Sequence, residues 1–251
     1  MEGPSLVGLS GQMALRQQLD VVANNIANAT TTAYRGDRTL FQSHVNRLAV
    51  PGREVAFVQD RATYVDTRPG AIAATGNPLD IALDGEAFLA VERPGNAGRG
   101  YTRDGRLRVS PDNTLVDTAG RPVLDQGGAQ LLMPERFSSV EIRADGSILA
   151  TVDGRIEQIG RLGLFRAGDA RGLRKGGDGL IEIPQADVAA VEPEARDIRV
   201  VQGALESSSV QPIAEIANLT ALQRAYESVQ RIVADDDSRL RKMIEALGRP
   251  N

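Results

Sequence analysis

Side chains suited to covalent or metal chemistry are scarce in this sequence. Cysteine is absent. That removes thiol nucleophiles, Cys-x-x-Cys redox pairs, cysteine zinc sites and disulfides together. His44 is the single histidine and so the single imidazole base. With no second histidine and no cysteine to build a site around it, His44 reads as a surface or loop residue. The run Asp235-Asp236-Asp237 offers three carboxylates to a cation. A calcium loop also needs spaced ligands and a glycine-bearing turn, so the run reads as a solvated helix face. The stretch from Arg171 to Gly179 is basic and glycine-rich, as a phosphate cradle would be. It lacks the GxxxxGK[ST] order and reads as a surface loop. Gly95, Gly98 and Gly100 make no GxGxxG pattern. A hydrolase using two carboxylates on a β framework stays open, because sequence does not pair carboxylates across strands. No nucleophile motif, base or metal spacing supports it. The expectation is a chain without catalytic site, cofactor or metal.

The elements that hold these residues are more informative. The 251 residues are 41% hydrophobic and 25% charged, a globular mix sufficient for one large or two small domains. Glycine is frequent at 26 residues and aromatics are only 4%, which favours many turns over a thick aromatic core. The net charge of −4 argues against nucleic acid or an anionic membrane as main partner. Glu2 stands where a secretory leader would be basic, and no long apolar stretch follows, so no cleaved signal peptide is expected. No run of 18 apolar residues is present to span a membrane.

Three textures follow one another. From about residue 4 to 32, Leu15, Leu19, Val22 and Ile26 recur at steps of 4, 3 and 4, with Leu6, Leu9 and Met13 upstream. This predicts an amphipathic helix, stopped by the β-branched run Thr30-Thr31-Thr32. The piece from Tyr34 to Pro51 reads as loop or short helix. From about Val55 to Arg199 helical periodicity is gone, and Asp-Gly pairs cut short apolar runs at residues 84, 104, 145, 153 and 178. Segments 139–143, 147–152 and 155–165 read as a three-stranded meander turning at Asp145-Gly146 and Asp153-Gly154. Ile148 and Ala150 are expected on one face, with Leu149 on the other. From Pro212 onward, Leu219, Leu222, Tyr226, Val229, Val233, Leu240, Met243 and Leu247 keep a 3,4 spacing broken only at Asp236. So narrow a seam needs another helix. Two such helices at the chain ends suggest pairing with each other and with neighbouring copies, in contacts that build tubes or filaments.

The residues then carry a resemblance. Leu19-Asp20-Val21-Val22-Ala23-Asn24-Asn25-Ile26-Ala27-Asn28, with Thr31 and Tyr34-Arg35, resembles the N-terminal signature of bacterial flagellar rod and hook proteins. Thr75 to Leu83, Gly85, Phe88, Tyr101-Thr102-Arg103, Gly105 and Leu115-Val116 continue it. So do Gln202-Gly203-Ala204-Leu205-Glu206, Ser208, Val210 and Gln223-Arg224-Ala225-Tyr226-Glu227. The blocks stand in family order over nearly the whole chain. Length and the run from Gly8 to Arg16 resemble the proximal rod members most, with distal rod or hook subunits as the alternative. Three departures stand out: Ala33 and Ala87 where the family usually has Gly, and Ser209 where Asn is common. If either Gly position needs a positive φ, Ala is strained there.

The resemblance implies a mainly β central domain with long N- and C-terminal α-helices forming a coiled-coil-like pair. The expected organisation is an N-terminal helix over 1–33, a linker with short extended or loop elements over 34–75, the β domain over 76–200 and a C-terminal helix over 201–251. It implies a structural rod subunit in the periplasm that helps form the drive shaft transmitting torque. Export is expected through the flagellar type III apparatus, and the partners are other rod subunits and further copies. No nucleic acid or small-molecule substrate is implied. The assembly interface is expected at Leu15, Leu19, Val22, Asn24, Asn25, Ile26 and Asn28, and at Leu219, Leu222, Tyr226, Val229, Val233 and Leu240. Asparagine is a mediocre helix former, and a polar residue at a helix interface fixes register.

Overall fold

The computed structural model describes residues 3–47, 54–96, 98–168, 172–192 and 197–247. The chain divides into two compact units. One comprises residues 1–27, 37–63 and 211–251, and the other comprises 28–36 and 64–210.

The first unit holds the two long helices, α1 (Gly3–Ala27) and α2 (Pro212–Leu247), which pack on each other. Proline opens α2 at a position where its missing N–H costs nothing, and the Gln211 carbonyl accepts from the Glu215 N–H at 3.0 Å. The helices run antiparallel. Gly8, early in α1, faces Val233, late in α2, while Val22 and Asn25 share a groove with Glu215, Asn218 and Leu222. A Cβ on Gly8 would stand 2.6 Å from a Val233 methyl, so this glycine sets how closely the helices approach. The other described elements of this unit are two paired strands, Asp37–Arg47 and Glu54–Val65. They replace the loop or short helix expected for the start of this region. His44 lies on the first of these strands, and its side chain falls outside the described residues.

Helix α1 stops just after Ile26, the last residue of the apolar period, and before the threonine run expected to end it. Asn28 begins a turn closed by the Thr31 N–H on the Asn28 carbonyl, 3.1 Å, and by the Thr31 hydroxyl on Asn28 Oδ1, 3.2 Å. Ala33 then takes φ 55, the left-handed region in which a Cβ is strained. Ala87 shows no such φ, so of the two Gly-to-Ala departures only the one at Ala33 carries strain. At the other end, the chain before Pro212 is strand, at Arg199–Gln202 and Ala204–Glu206, rather than the beginning of a helix.

Among its described residues, the regular elements of the second unit are β-strands and short 3-10 turns. Its largest sheet has six strands in the order Arg174–Lys175, Ile181–Glu182, Arg99–Thr102, Phe88–Glu92, Leu164–Ala167, Val188–Ala190. The main core gathers Ile81, Leu89, Val91, Leu107, Val123, Ile148 and Leu180, all at most 2% exposed. A second cluster packs Val65, Phe88, Tyr101 and Phe165, with the rings of Tyr101 and Phe165 edge-to-face at 5.5 Å.

The expected meander is present as Ser139–Ile142, Ser147–Val152 and Arg155–Arg161, paired antiparallel. At its tight turn, Asp153 and Gly154 take φ 48 and 78, the positive pair that a type I′ hairpin demands. The third strand is shorter than predicted. A bulge opens where Ile148 pairs with Gly160 but Leu149 with Gln158. Beyond it the Leu162 N–H donates to Gly146 and the Gly163 N–H to Leu124. The chain thereby leaves the meander, and Leu164–Ala167 joins the six-stranded sheet. Ile148 and Ala150 enter the main core, whereas Leu149 stays out of that cluster yet is also buried.

Candidate functional site

Two constellations stand out, one in each unit. In the helical unit, the apolar seams face each other. Val22 is buried, and Leu15, Leu19 and Ile26 on α1 are half-buried, as are Leu219, Leu222, Tyr226, Val229 and Val233 on α2. The seam residues anticipated for assembly are thus brought together within one chain; the Leu240 side chain lies outside the described residues. The three asparagines separate. Asn25, 3% exposed, donates through Nδ2 to the Asp37 carbonyl at 2.9 Å and accepts the Asp37 N–H on Oδ1 at 2.8 Å. This reciprocal pair pins the start of the first strand to the end of α1. Asn24 is exposed, and Asn28 forms the turn after the helix. Large apolar side chains remain on the outside: Leu9 at 52%, Met13 at 67%, Ile213 at 85%, Ile216 at 52% and Ile232 at 63% exposure.

In the β unit, Glu206 lies between two guanidiniums with its side chain 1% exposed. Arg35 Nη2 reaches Glu206 Oε1 at 3.0 Å, and Arg103 Nε donates to Oε2 at 2.6 Å. The Gly70 N–H adds a bond to Oε1 at 2.8 Å. Arg103 spends its other donors on the carbonyls of Gly85, Ala87 and Leu83, and Arg35 donates to the carbonyl of Arg68. Around this triad the two chain segments bounding the unit are tied together. The Ala33 N–H donates to the Glu206 carbonyl at 2.8 Å, the Ser209 N–H to the Tyr34 carbonyl at 2.9 Å, and the Gly36 N–H to Ser209 Oγ at 3.1 Å. Reading by periodicity missed Arg35, Arg103 and Glu206. The available signal was their place as charged residues inside the resemblance blocks. Among the described residues no group of three His, Asp or Glu side chains is arranged to hold a metal, and no helix is long and apolar enough to cross a membrane.

Comparison with known proteins places these segments. Residues 6–35 match the family model described as flagella basal body rod protein. Residues 82–150 match the flagellar hook protein FlgE/F/G D1 domain, and residues 201–246 the flagellar basal body rod FlgEFG protein C-terminal. The flagellar basal-body rod protein FlgF of Caulobacter vibrioides is 38% identical over 254 residues, covering 100% of both chains. The chain belongs to the flagellar basal-body rod protein family. The FlgF of Rhizobium meliloti is 34% identical, covering 96% of each chain. The flagellar basal-body rod protein FlgG of Bacillus subtilis is 26% identical, covering 94% of this chain and 96% of its own. The similarity is therefore stronger to these FlgF proteins than to this FlgG. As a member of the rod family the chain is a structural axial subunit of the basal body. Each of the three matched segments supplies one member of the buried triad: Arg35, Arg103 and Glu206.

Proposed function

We propose that this rod subunit is non-catalytic and joins the axial stack through the outer faces of α1 and α2, transmitting torque as part of the drive shaft. The carrying observation is that Leu9, Met13, Ile213, Ile216 and Ile232 stay exposed after the two seams have met. Large apolar side chains left in solvent along paired helices favour a protein partner. Within this reading the seam from Leu15 to Ile26 and from Leu219 to Val233 shapes the subunit, and the outer residues contact neighbours. The partners are other axial subunits of the rod and further copies. The subunit reaches the periplasmic part of the basal body through the flagellar export apparatus. The likeness to FlgF proteins favours a proximal place, with a distal rod or hook place as the alternative.

The double variant Ile213→Asp, Ile216→Asp tests this. Both positions are solvent-facing in the single chain, so helix content by circular dichroism should match the parent, while rod incorporation and swimming are lost. Normal motility with both aspartates present would show that this face contacts nothing. Complementation of strains lacking the FlgF or the FlgG homologue separates the proximal from the distal place.

A further inference from the structure

The three-stranded meander has two edges, and they are finished differently. Along Ser139–Ile142 the Gln202 side chain takes the place of a neighbouring strand. The Ile142 N–H donates to Gln202 Oε1 at 3.1 Å, and Gln202 Nε2 donates to the Val140 carbonyl at 2.9 Å. The opposite edge, Arg155–Arg161, has no such cover at its start, where every residue from Asp153 to Gln158 is exposed. The two-residue turn at Asp153-Gly154 fixes which backbone groups point outward. Its closing pair, Val152 and Arg155, bonds across the hairpin, and so do Ala150 and Glu157 two residues on. Ile156 and Gln158 therefore turn their N–H and C=O groups away from the sheet, and among the described residues no loop or side chain bonds them. Ile156 is also 67% exposed. An open strand edge carrying an exposed apolar residue is a template for another strand.

We propose that this edge pairs antiparallel with the same edge of a second copy, centred on Ile156, so that two meanders form one six-stranded sheet about a two-fold axis. Outward-facing groups have to meet outward-facing groups. That leaves three registers: Ile156 opposite Ile156, Ile156 opposite Gln158, and Gln158 opposite Gln158. The side chains decide among them, because opposite charges directly across strands attract and like charges repel. Ile156 opposite Gln158 brings Glu157 onto Glu157. Gln158 opposite Gln158 brings Arg155 onto Arg161. Ile156 opposite Ile156 sets Arg155 against Glu157 on both sides of the axis and joins the two apolar side chains. The edge is thus complementary to itself in one register, which makes a second copy its partner. A two-fold contact closes on itself and adds no third copy, so it stands apart from helix contacts that extend a stack. It covers little surface, so the dimer is weak and forms at high protein concentration.

The full-length chain carrying Ile213→Asp and Ile216→Asp tests this, so that association through that helix face does not enter the measurement. Sedimentation equilibrium at rising protein concentration should show monomer and dimer, and amide exchange at Ile156 should slow as the dimer forms. Arg155→Glu alone, or Glu157→Arg alone, sets like charges across the axis. Each should weaken dimerisation roughly tenfold or more, the scale of two cross-strand charge pairs reversed. Both positions are exposed, so each variant keeps the fold. Mixing the two variants sets an acidic edge against a basic one and should restore a dimer holding one copy of each. Three results would overturn the proposal: a monomer at the highest soluble concentration, a dimer that neither single change weakens, or a mixture that associates no better than its separate components.

Discussion

Glu206 shows how a charged residue can hold a fold without adding net electrostatic stability. Three ionic side chains are desolvated together, a cost that their mutual attraction only partly offsets. In many proteins such a group can be exchanged for apolar residues of similar volume. Here the exchange would also strip donors from the carbonyls of Arg68, Leu83, Gly85 and Ala87. The triad therefore serves backbone satisfaction as much as charge pairing. Glu206→Gln keeps the shape and removes the negative charge, leaving Arg35 and Arg103 confronting each other. The expected loss is about 3–5 kcal/mol from the β unit, the usual penalty for breaking a buried pair by one partner. Urea unfolding followed by amide exchange in residues 64–210 measures it, and a change within about 0.5 kcal/mol, typical of a surface substitution, would refute the role. Ala33 is a case in which a single residue was partly legible beforehand. Its departure from the family glycine, like that at Ala87, raised the question of a positive φ, and the backbone takes one at Ala33 but not at Ala87.

At the scale of elements, the sequence announces what depends on local period and hides what depends on partners far along the chain. Steps of 3 and 4 among Leu15, Leu19, Val22 and Ile26, and again from Leu219 to Val233, reveal both helices because the pattern lies within each segment. The Asp145 and Asp153 turns are legible because a hairpin turn needs particular residues at its centre. The end of the third meander strand is not, because it is set by hydrogen bonds from Leu162 to Gly146 and from Gly163 to Leu124. The burial of Leu149 is equally non-local. Arg35, Arg103 and Glu206 meet across sequence separations that no short window spans. The turn at Asp145 offers a test of its own. The Ser147 hydroxyl bonds Asp145 Oδ2 at 2.7 Å and holds the carboxyl below its ordinary pKa of 3.8, with the Ser147 N–H and Arg161 assisting. A depressed carboxyl pKa contributes stability that is present above 3.8 and is lost as pH falls through the folded-state value. Asp145→Asn should therefore unfold at lower urea than the parent at neutral pH, and the two midpoints should converge in acid. A gap that persists unchanged into acid would mean that the ionised carboxylate does not support this turn.

Across the whole chain, the β unit is closed by its last strands. Arg199–Gln202 pairs antiparallel with Ile81–Asp84, and Ala204–Glu206 with Ile72–Ala74, the latter delivering Glu206 to the two arginines. A chain ending after Asp197 loses both pairings and the central carboxylate. It should show little amide protection in residues 64–192, even though it retains most of the core, and full protection there would mean that the closing strands are dispensable. The closure also brings Tyr34 and Ser209 within hydrogen-bonding distance of each other, so the segments leading into and out of the β unit run side by side. Seen as a problem in engineering, that adjacency makes the unit a cartridge. Its two leads leave side by side, so another β body with similarly spaced leads could take its place without changing the chain spacing at that point.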